Sequence, residues 1–594
     1  MNSVRIKYEG WLYWLAFLLA LGIRFIQLGA TPLTDSEATL ALQALAIARG
    51  DSPLLAPQPA YILLTSIFFA ILEGTNFLAR FIPALAGSAL VFAPYFFREK
   101  LKPRPALILA LLFAFDPGLV ALSRQANGTI LAVTCLLFAI AMWMNKRFVP
   151  AGIFTGLALL SGPSLWAGIL SLALTWVFLQ GTKSSTTDEQ HEIENQHSPI
   201  RRTEPVEVST SPILNPQPQI TNYEFPIALL STFLLAGSLL FLAPNGLSAA
   251  LASIPAYFSG WVAQITVTPT RVLITLLAYE PLGIFLALLA IMRGLRTNGK
   301  RAKRLMLWLG VSLLLAVFYR HTSELVWVII PLLTLAALEL SRVFNIYREE
   351  LVEVGVVVLA ILILLIYISF TLSNLALNPF NQVTTTLPIF GEVQNPQLVV
   401  LVSSFAILLV CIALVALGWS ARIARLGATI ALTAFIGLYT VGAAWGTSGL
   451  RNPNGFELWM TDSQPAQADL LLASVNDISE FSLGHTQSQP VTVVGIVSPA
   501  LEWTLRNHQV EVASALDPQI APPIVVTPVM DDLGLPSAYR GQDFTWRVQP
   551  QWEIVQNTDW IKWFVFRQLP MESETIILWA RDDLFPDARP SGQP

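Results

Sequence analysis

Apolar runs long enough to cross a bilayer recur along most of this chain, and they limit its fold more than any single motif does. A spanning helix needs roughly 20 apolar residues. Long runs fall near 11–28, 78–97, 105–122, 128–145, 149–163, 164–180, 225–243, 271–292, 305–319, 324–341, 351–373, 397–418 and 427–446. Composition agrees, with 54% apolar and 12% charged residues among 594, against about 25% charged in a soluble domain. The first run follows Arg5 and Lys7 as a signal peptide would. It continues to about Leu28 without a small-residue cleavage site, so an uncleaved first helix is expected. A net charge of −4 gives no sign of nucleic-acid binding. Cys135 and Cys411 both lie inside apolar runs, which implies neither a disulfide framework nor a metal cluster.

Charge sets the expected orientation. Basic clusters stand at Arg98–Arg104, Lys146-Arg147, Arg293–Arg304, Arg342–Arg348 and Arg422–Arg425, and basic loops stay cytoplasmic. With the N-terminus inside, all five are cytoplasmic only if the short run 60–72 does not cross. Thirteen spans result, and the region from about 447 lies outside the membrane.

This topology gathers polar features on the outer face. The first outer loop, 29–77, holds Asp35, Glu37, Gln58 and Tyr61, and the second holds Asp116, Arg124, Gln125 and Asn127. Arg320-His321 and Glu324 form a later outer turn, and 244–270 reads as an interfacial helix with Tyr257 and Trp261. Acids at the edge of lipid are costly to keep charged and tend to mark function. The plainer readings are that Asp35 caps a helix starting at Ser36 and that Asp116-Pro117 starts a turn. Arg24 and Arg80 would then snorkel or anchor at the interface. Glu280 is the sole acid in its span and calls for a cavity or a partner.

Two stretches are not membrane. Residues 182–223 are rich in Ser, Thr, Pro, Gln and Glu and are expected to be a disordered cytoplasmic loop. Residues 447–594 read as a small α/β domain, with strands at Val491–Val497, Ile524–Val526 and Thr575–Trp579 and a helix at Ala500–Asn507. Its tryptophans, among them Trp503, Trp546, Trp552, Trp560, Trp563 and Trp579, suit core packing or the interface more often than sugar stacking.

The order of these features resembles the GT-C glycosyltransferases, especially the protein mannosyltransferase and aminoarabinose transferase-like branch. The likeness rests on Arg24-Phe25-x-x-Leu28, Pro32-Leu33-x-Asp35-Ser36-Glu37-Ala38 and Ala44-x-x-Ile47-x-x-Gly50. It also rests on Ala79-Arg80-Phe81-Ile82-Pro83-Ala84-Leu85-Ala86-Gly87, on Phe115-Asp116-Pro117 with Ser123-Arg124, and on Arg320-His321 with Pro331-Leu332. It is good over 1–180, loose over 225–450 and faint beyond. The family's adjacent Asp-Glu is here spaced as Asp35-Ser36-Glu37, and its Lys-Pro-Pro-like segment is Gln58-Pro59.

The resemblance implies a mainly α, polytopic membrane protein of GT-C type with about 13 transmembrane helices and a small extracytoplasmic α/β domain. The modules would be a site-bearing membrane module at 1–180, a cytoplasmic loop at 181–224, further membrane helices at 225–446 and the outer domain at 447–594. The implied activity, at the outer face of the plasma membrane, is sugar transfer from a polyprenyl-phosphate-linked donor to a glycan, lipid or protein acceptor. Asp35, Glu37 and Asp116 would be the catalytic acids, or the ligands of a divalent cation if one is used. Arg24, Arg80, Arg124, Arg320 and His321 would grip the carrier phosphate, and Gln58 and Tyr61 would touch donor or acceptor. A lipid or sugar flippase would instead show internal repeats and midplane charges. A non-catalytic assembly protein would keep the fold and lose the site.

Overall fold

The structure is a computed structural model that describes residues 9–194, 223–263, 267–343, 350–377, 385–387, 391–393, 396–450, 456–517, 519–552 and 554–585. Six helices among these are long and apolar enough to cross a membrane, or up to nine if each of three bent pairs is one span. That count, made by length and composition, is below the thirteen expected. Part of the difference lies in short helices, since the runs 11–28, 128–145 and 225–243 form Glu9–Phe25, Thr129–Met144 and Glu224–Gly237, and part in breaks. The run 105–122 divides into Pro103–Phe115 and Pro117–Ser123, bent by 55°, and 271–292 divides into Pro269–Tyr279 and Pro281–Arg296, bent by 87°. Both breaks fall at an acid-proline step, Asp116-Pro117 and Glu280-Pro281. Proline lacks the N–H that would continue the helix and pushes the residue before it out of the α region. Two expected spans, 149–163 and 164–180, form a third pair bent by 120°. The chain turns there at Gly162, whose φ of +115° suits only glycine.

Residues 60–72 fall in the helix Pro59–Ile71, whose 13 residues rise only about 20 Å, too short for the hydrocarbon core. Of the stretch 182–223, the helix Ser164–Glu194 takes in the first part, since no proline interrupts before Pro199. Residues 195–222 lie outside the described residues. The segment expected at the interface, 244–270, forms the helix Asn245–Gly260 and the start of Pro269–Tyr279.

The centre of the helical body is the segment Thr322–Val343, 89% buried over its most apolar window, whereas Pro396–Gly418 is 11% buried and faces outward. A two-stranded ribbon, β1 (Thr385–Leu387) with β2 (Gly391–Val393), follows the helix Leu351–Leu377. The C-terminal region folds as expected for an α/β domain. Its strands are β3 (Gln464–Pro465), β4 (Val491–Val494), β5 (Val510–Ala513), β6 (Ile524–Pro528), β7 (Tyr539–Pro550) and β8 (Met571–Arg581), in the spatial order β3-β7-β8-β6-β4-β5. β4 pairs in parallel with β5 and β6, and the other pairs are antiparallel. The expected helix is the shorter Pro499–Thr504.

This domain does not stand apart from the membrane body. Its buried Val491, Val526, Phe544 and Trp546 share one apolar cluster with Leu33, Ala38 and Leu45 of the first loop and with Tyr61 and Ile62. Trp503 packs on Phe69 and donates its indole N–H to Asn76 Oδ1 at 2.7 Å.

Candidate functional site

The first-loop acids owe their positions to the start of a helix. Thr34, rather than Asp35, is the N-cap of Asp35–Ala48. Its hydroxyl accepts from the Glu37 amide, and the Glu37 carboxylate accepts from the Thr34 amide at 3.1 Å, a reciprocal capping box. The helix therefore begins one residue earlier than the sequence suggests, and Asp35 and Glu37 point different ways.

Glu37 turns inward to Arg80. The guanidinium donates through Nε to Oε1 at 2.9 Å and through Nη2 to Oε2 at 2.7 Å, while Oε1 also accepts from the Ala126 amide at 2.8 Å. Burial alone would raise the Glu37 carboxyl pKa, but the Arg80 charge and these hydrogen bonds outweigh it and hold it below the usual carboxylate range. Arg80 is equally committed. It also donates to the Leu28, Thr31 and Pro32 carbonyls and to the Thr31 hydroxyl. The pair is a buried strut that fixes the first loop against Ala126.

Asp35 turns outward to the C-terminal domain. Its Oδ2 accepts from Arg547 Nη2 at 2.7 Å, and its Oδ1 accepts from the Ser498 hydroxyl at 2.6 Å and the Ala500 amide at 3.0 Å. Asp116 caps Pro117–Ser123 through the Leu119 amide at 2.7 Å. Its Oδ2 and Oε1 of Glu280 are buried without a donor among the described residues, and the two carboxyls lie within hydrogen-bonding reach of one another. Asp116 is thus the partner that Glu280 required, and it ties together the two acid-proline breaks.

The expected phosphate-binding residues divide similarly. Arg24 is wholly buried and donates to the Phe113 carbonyl at 3.0 Å and the Ala114 carbonyl at 2.9 Å. The Phe113 carbonyl is the one that Pro117 has no N–H to serve, so Arg24 repairs the break. Arg124 donates to the Arg24, Ile26 and Gln27 carbonyls at 2.8, 2.9 and 3.2 Å, capping the end of Glu9–Phe25. Arg320, with left-handed φ, ends the helix Lys300–Tyr319, and His321 leans on the Tyr319 ring. Gln58 Oε1 accepts from the Gly128 amide at 2.7 Å, and the buried Tyr61 hydroxyl donates to the Ala79 carbonyl at 2.8 Å.

A cleft opens between the first loop, the end of the last long helix and the segment entering the C-terminal domain. It takes in about 780 Å³, part of it open to solvent, and its wall includes Glu37, Arg80, Arg124, Ser448, Glu457 and Asp462. Of the expected site residues, only Glu37, Arg80 and Arg124 reach it. Asp35, Asp116, Arg24, Gln58, Tyr61, Arg320 and His321 do not line it. The acids Asp35, Glu37 and Asp116 do not converge, and no group of three or more His, Cys, Asp or Glu among the described residues is arranged to hold a metal ion.

The sequence reading missed Glu457 and Asp462. Glu457 is buried, accepts from the Tyr279 hydroxyl and pairs with Arg567 Nε at 3.4 Å. Asp462 is half-buried and takes a hydrogen bond from its neighbour Thr461 at 3.2 Å. Both also line a second cavity of about 1240 Å³ beyond the cleft, with Arg271, Gln549, Trp552 and Glu572. Arg271 stacks on the Trp552 ring, 4.1 Å from its centroid. The available signal was a polar Thr461-Asp462-Ser463 step soon after the last apolar run.

No protein-family model and no curated protein matches the chain. Solved structures do. The crystal structure of ArnT from Cupriavidus metallidurans bound to undecaprenyl phosphate superposes with a TM-score of 0.52 at 14% identity, covering 88% of this chain and 94% of that one. The apo state of the same protein gives 0.48 over the same shares. At that identity the first superposition establishes the fold alone. With its long apolar helices and C-terminal sheet domain, the chain is an integral membrane protein of GT-C fold.

Proposed function

We propose that the protein is a membrane glycosyltransferase that takes a sugar from a polyprenyl-phosphate carrier and passes it to a hydroxyl-bearing acceptor at the outer face. The carrying observation is the cleft, which sets the Arg124 cation and the carboxylate of Asp462 on one wall system beside a second, hydroxyl-friendly cavity. In this reading Asp462 takes the acceptor's proton as its oxygen attacks the anomeric carbon. The bond from that carbon to the phosphate oxygen breaks, and the electron pair leaves with the carrier phosphate. A single displacement of this kind inverts the anomeric centre. Arg124, whose Nη donors are spent on the carbonyls that end Glu9–Phe25, contributes its charge rather than a new hydrogen bond where negative charge grows. Gln549 and Glu572 in the second cavity offer polar groups suited to sugar hydroxyls. Glu37 and Arg80 act as positioning residues, because both have spent their hydrogen bonds on the loop.

ArnT, which shares the fold, is named with undecaprenyl phosphate bound, and that supports a carrier of this chemistry here. The experiment is sugar transfer in isolated membranes supplied with a polyprenyl-phosphate sugar pool. Asp462→Asn is expected to lower transfer by about 10²–10⁴-fold with the folded amount unchanged, and full transfer by this variant removes Asp462 from the mechanism. The saturated Glu37–Arg80 strut favours one second reading, a non-catalytic member of the fold. Absence of transfer by the wild-type protein from any donor pool supports that one.

A further inference from the structure

The cleft lies at one end of the helix Ala421–Thr447, lined by Gly446 and Thr447. At 1.5 Å per residue the other end lies roughly 40 Å away, and a basic groove is found there. It takes in about 1490 Å³, part of it open to its surroundings, and its polar lining includes Arg293, Arg296, Arg342, Arg422 and Arg425. These arginines come from three clusters that are far apart in sequence, and the fold brings them to one place.

The groove is amphipathic along its length. On Pro281–Arg296 the lining residues Phe285, Leu289, Met292, Arg293 and Arg296 form one helical stripe, apolar toward the middle of the helix and basic at its end. On Ala421–Thr447 the stripe Arg422, Arg425, Leu426, Thr429 and Leu432 runs from basic at the helix start to apolar within. Residues three and four apart share a helix face, so each stripe is continuous.

The charge is organised as well as concentrated. Glu339, 1% exposed, pairs with Arg293 and lies 3.9 Å from Arg342 Nη1, which holds both guanidinium groups at the groove. Arg422 pairs with Glu350 at 3.4 Å. Among the described residues the five guanidinium groups at the groove are joined by the carboxylates of Glu339 and Glu350. Basic loops alone would satisfy the orientation rule anywhere on the rim. They do not require a groove with apolar walls leading away from a set of arginines.

We propose that this groove binds an anionic phospholipid of the leaflet opposite the cleft. The headgroup phosphate lies among the arginines, whose planar forks match phosphoryl oxygens. The acyl chains follow Phe285, Leu289 and Leu432 into the bilayer. Basic pockets between membrane helices bind anionic headgroups in this way. The site is independent of the sugar-transfer reading.

The test is native mass spectrometry of the purified full-length protein in mild detergent, titrated separately with phosphatidylglycerol, phosphatidylethanolamine and polyprenyl phosphate. Wild-type protein is expected to bind phosphatidylglycerol at least about tenfold more tightly than phosphatidylethanolamine, consistent with more than one arginine acting. The double variant Arg296→Gln/Arg425→Gln should weaken phosphatidylglycerol roughly 30-fold and leave phosphatidylethanolamine unchanged. Equal binding of the two phospholipids by wild type overturns the proposal, and so does full phosphatidylglycerol binding by the variant. Displacement of bound phosphatidylglycerol by stoichiometric polyprenyl phosphate also overturns it, because the groove would then belong to the carrier. If the variant does not fold, the wild-type comparison decides.

Discussion

Glu37 and Asp35 stand two residues apart and are used in opposite ways, because the capping box turns one inward and leaves the other facing the C-terminal domain. Breaking a buried ion pair by removing one partner costs about 3–5 kcal/mol, so Glu37→Gln should strongly destabilise the protein at neutral pH. A carboxyl held below its ordinary pKa when folded gives its full stabilisation above the unfolded value, about 4.3, and loses it as pH falls toward the folded value. The wild-type thermal midpoint, followed by tryptophan fluorescence in detergent, should therefore drop as pH falls below about 4.3. In Glu37→Gln that part of the drop should be missing. A variant whose acid drop equals that of wild type contradicts the strut. Sequence alone placed Glu37 and Arg80 among candidate site residues, but could not show that they meet. They stand 43 positions apart, a separation bridged only when two helices pack.

The helices show where local sequence is a sufficient guide and where it is not. Apolar length identified the membrane segments, whereas the two acid-proline breaks lie inside runs that read as continuous and emerge only in the structure. A broken helix remains viable in lipid only if its freed backbone groups find partners, and Arg24 supplies them at Phe113 and Ala114. That partner comes from a helix about 90 residues earlier. Orientation rests on the short helix Pro59–Ile71 and is open to direct measurement. Reporter fusions after Lys102 and after Arg147 should both report the cytoplasm. An outside signal at Lys102 reverses the orientation and places the basic groove on the outer face.

Across the whole molecule, the C-terminal domain closes one side of the cleft and is latched to the membrane body through Asp35, Ser498 and Arg547. The Asp35–Arg547 pair is about a quarter exposed on each side chain, so the charge itself is worth on the order of 1 kcal/mol. Asp35→Asn should keep the Ser498 and Ala500 bonds and leave transfer within severalfold of wild type. Asp35→Ala should lose all three contacts and make the C-terminal domain more readily released by limited proteolysis. A 10²–10⁴-fold fall in transfer for Asp35→Asn, with unchanged proteolysis, would instead return Asp35 to the role of catalytic base.

Hydrophobic length and strand alternation are local properties, and through them the sequence by itself determined a helical membrane body followed by a small α/β domain. The resemblance in its first 180 residues pointed to the GT-C fold that superposition then showed. What the polar residues do was decided by tertiary structure alone. A buried arginine or acid is defined by the groups that satisfy it, and here these lie tens to hundreds of positions away: Arg80 for Glu37, Phe113 for Arg24, Glu280 for Asp116 and Arg547 for Asp35. The cleft wall holds Glu37, Arg80 and Arg124 from the sequence reading and adds Glu457 and Asp462, which no local motif had marked.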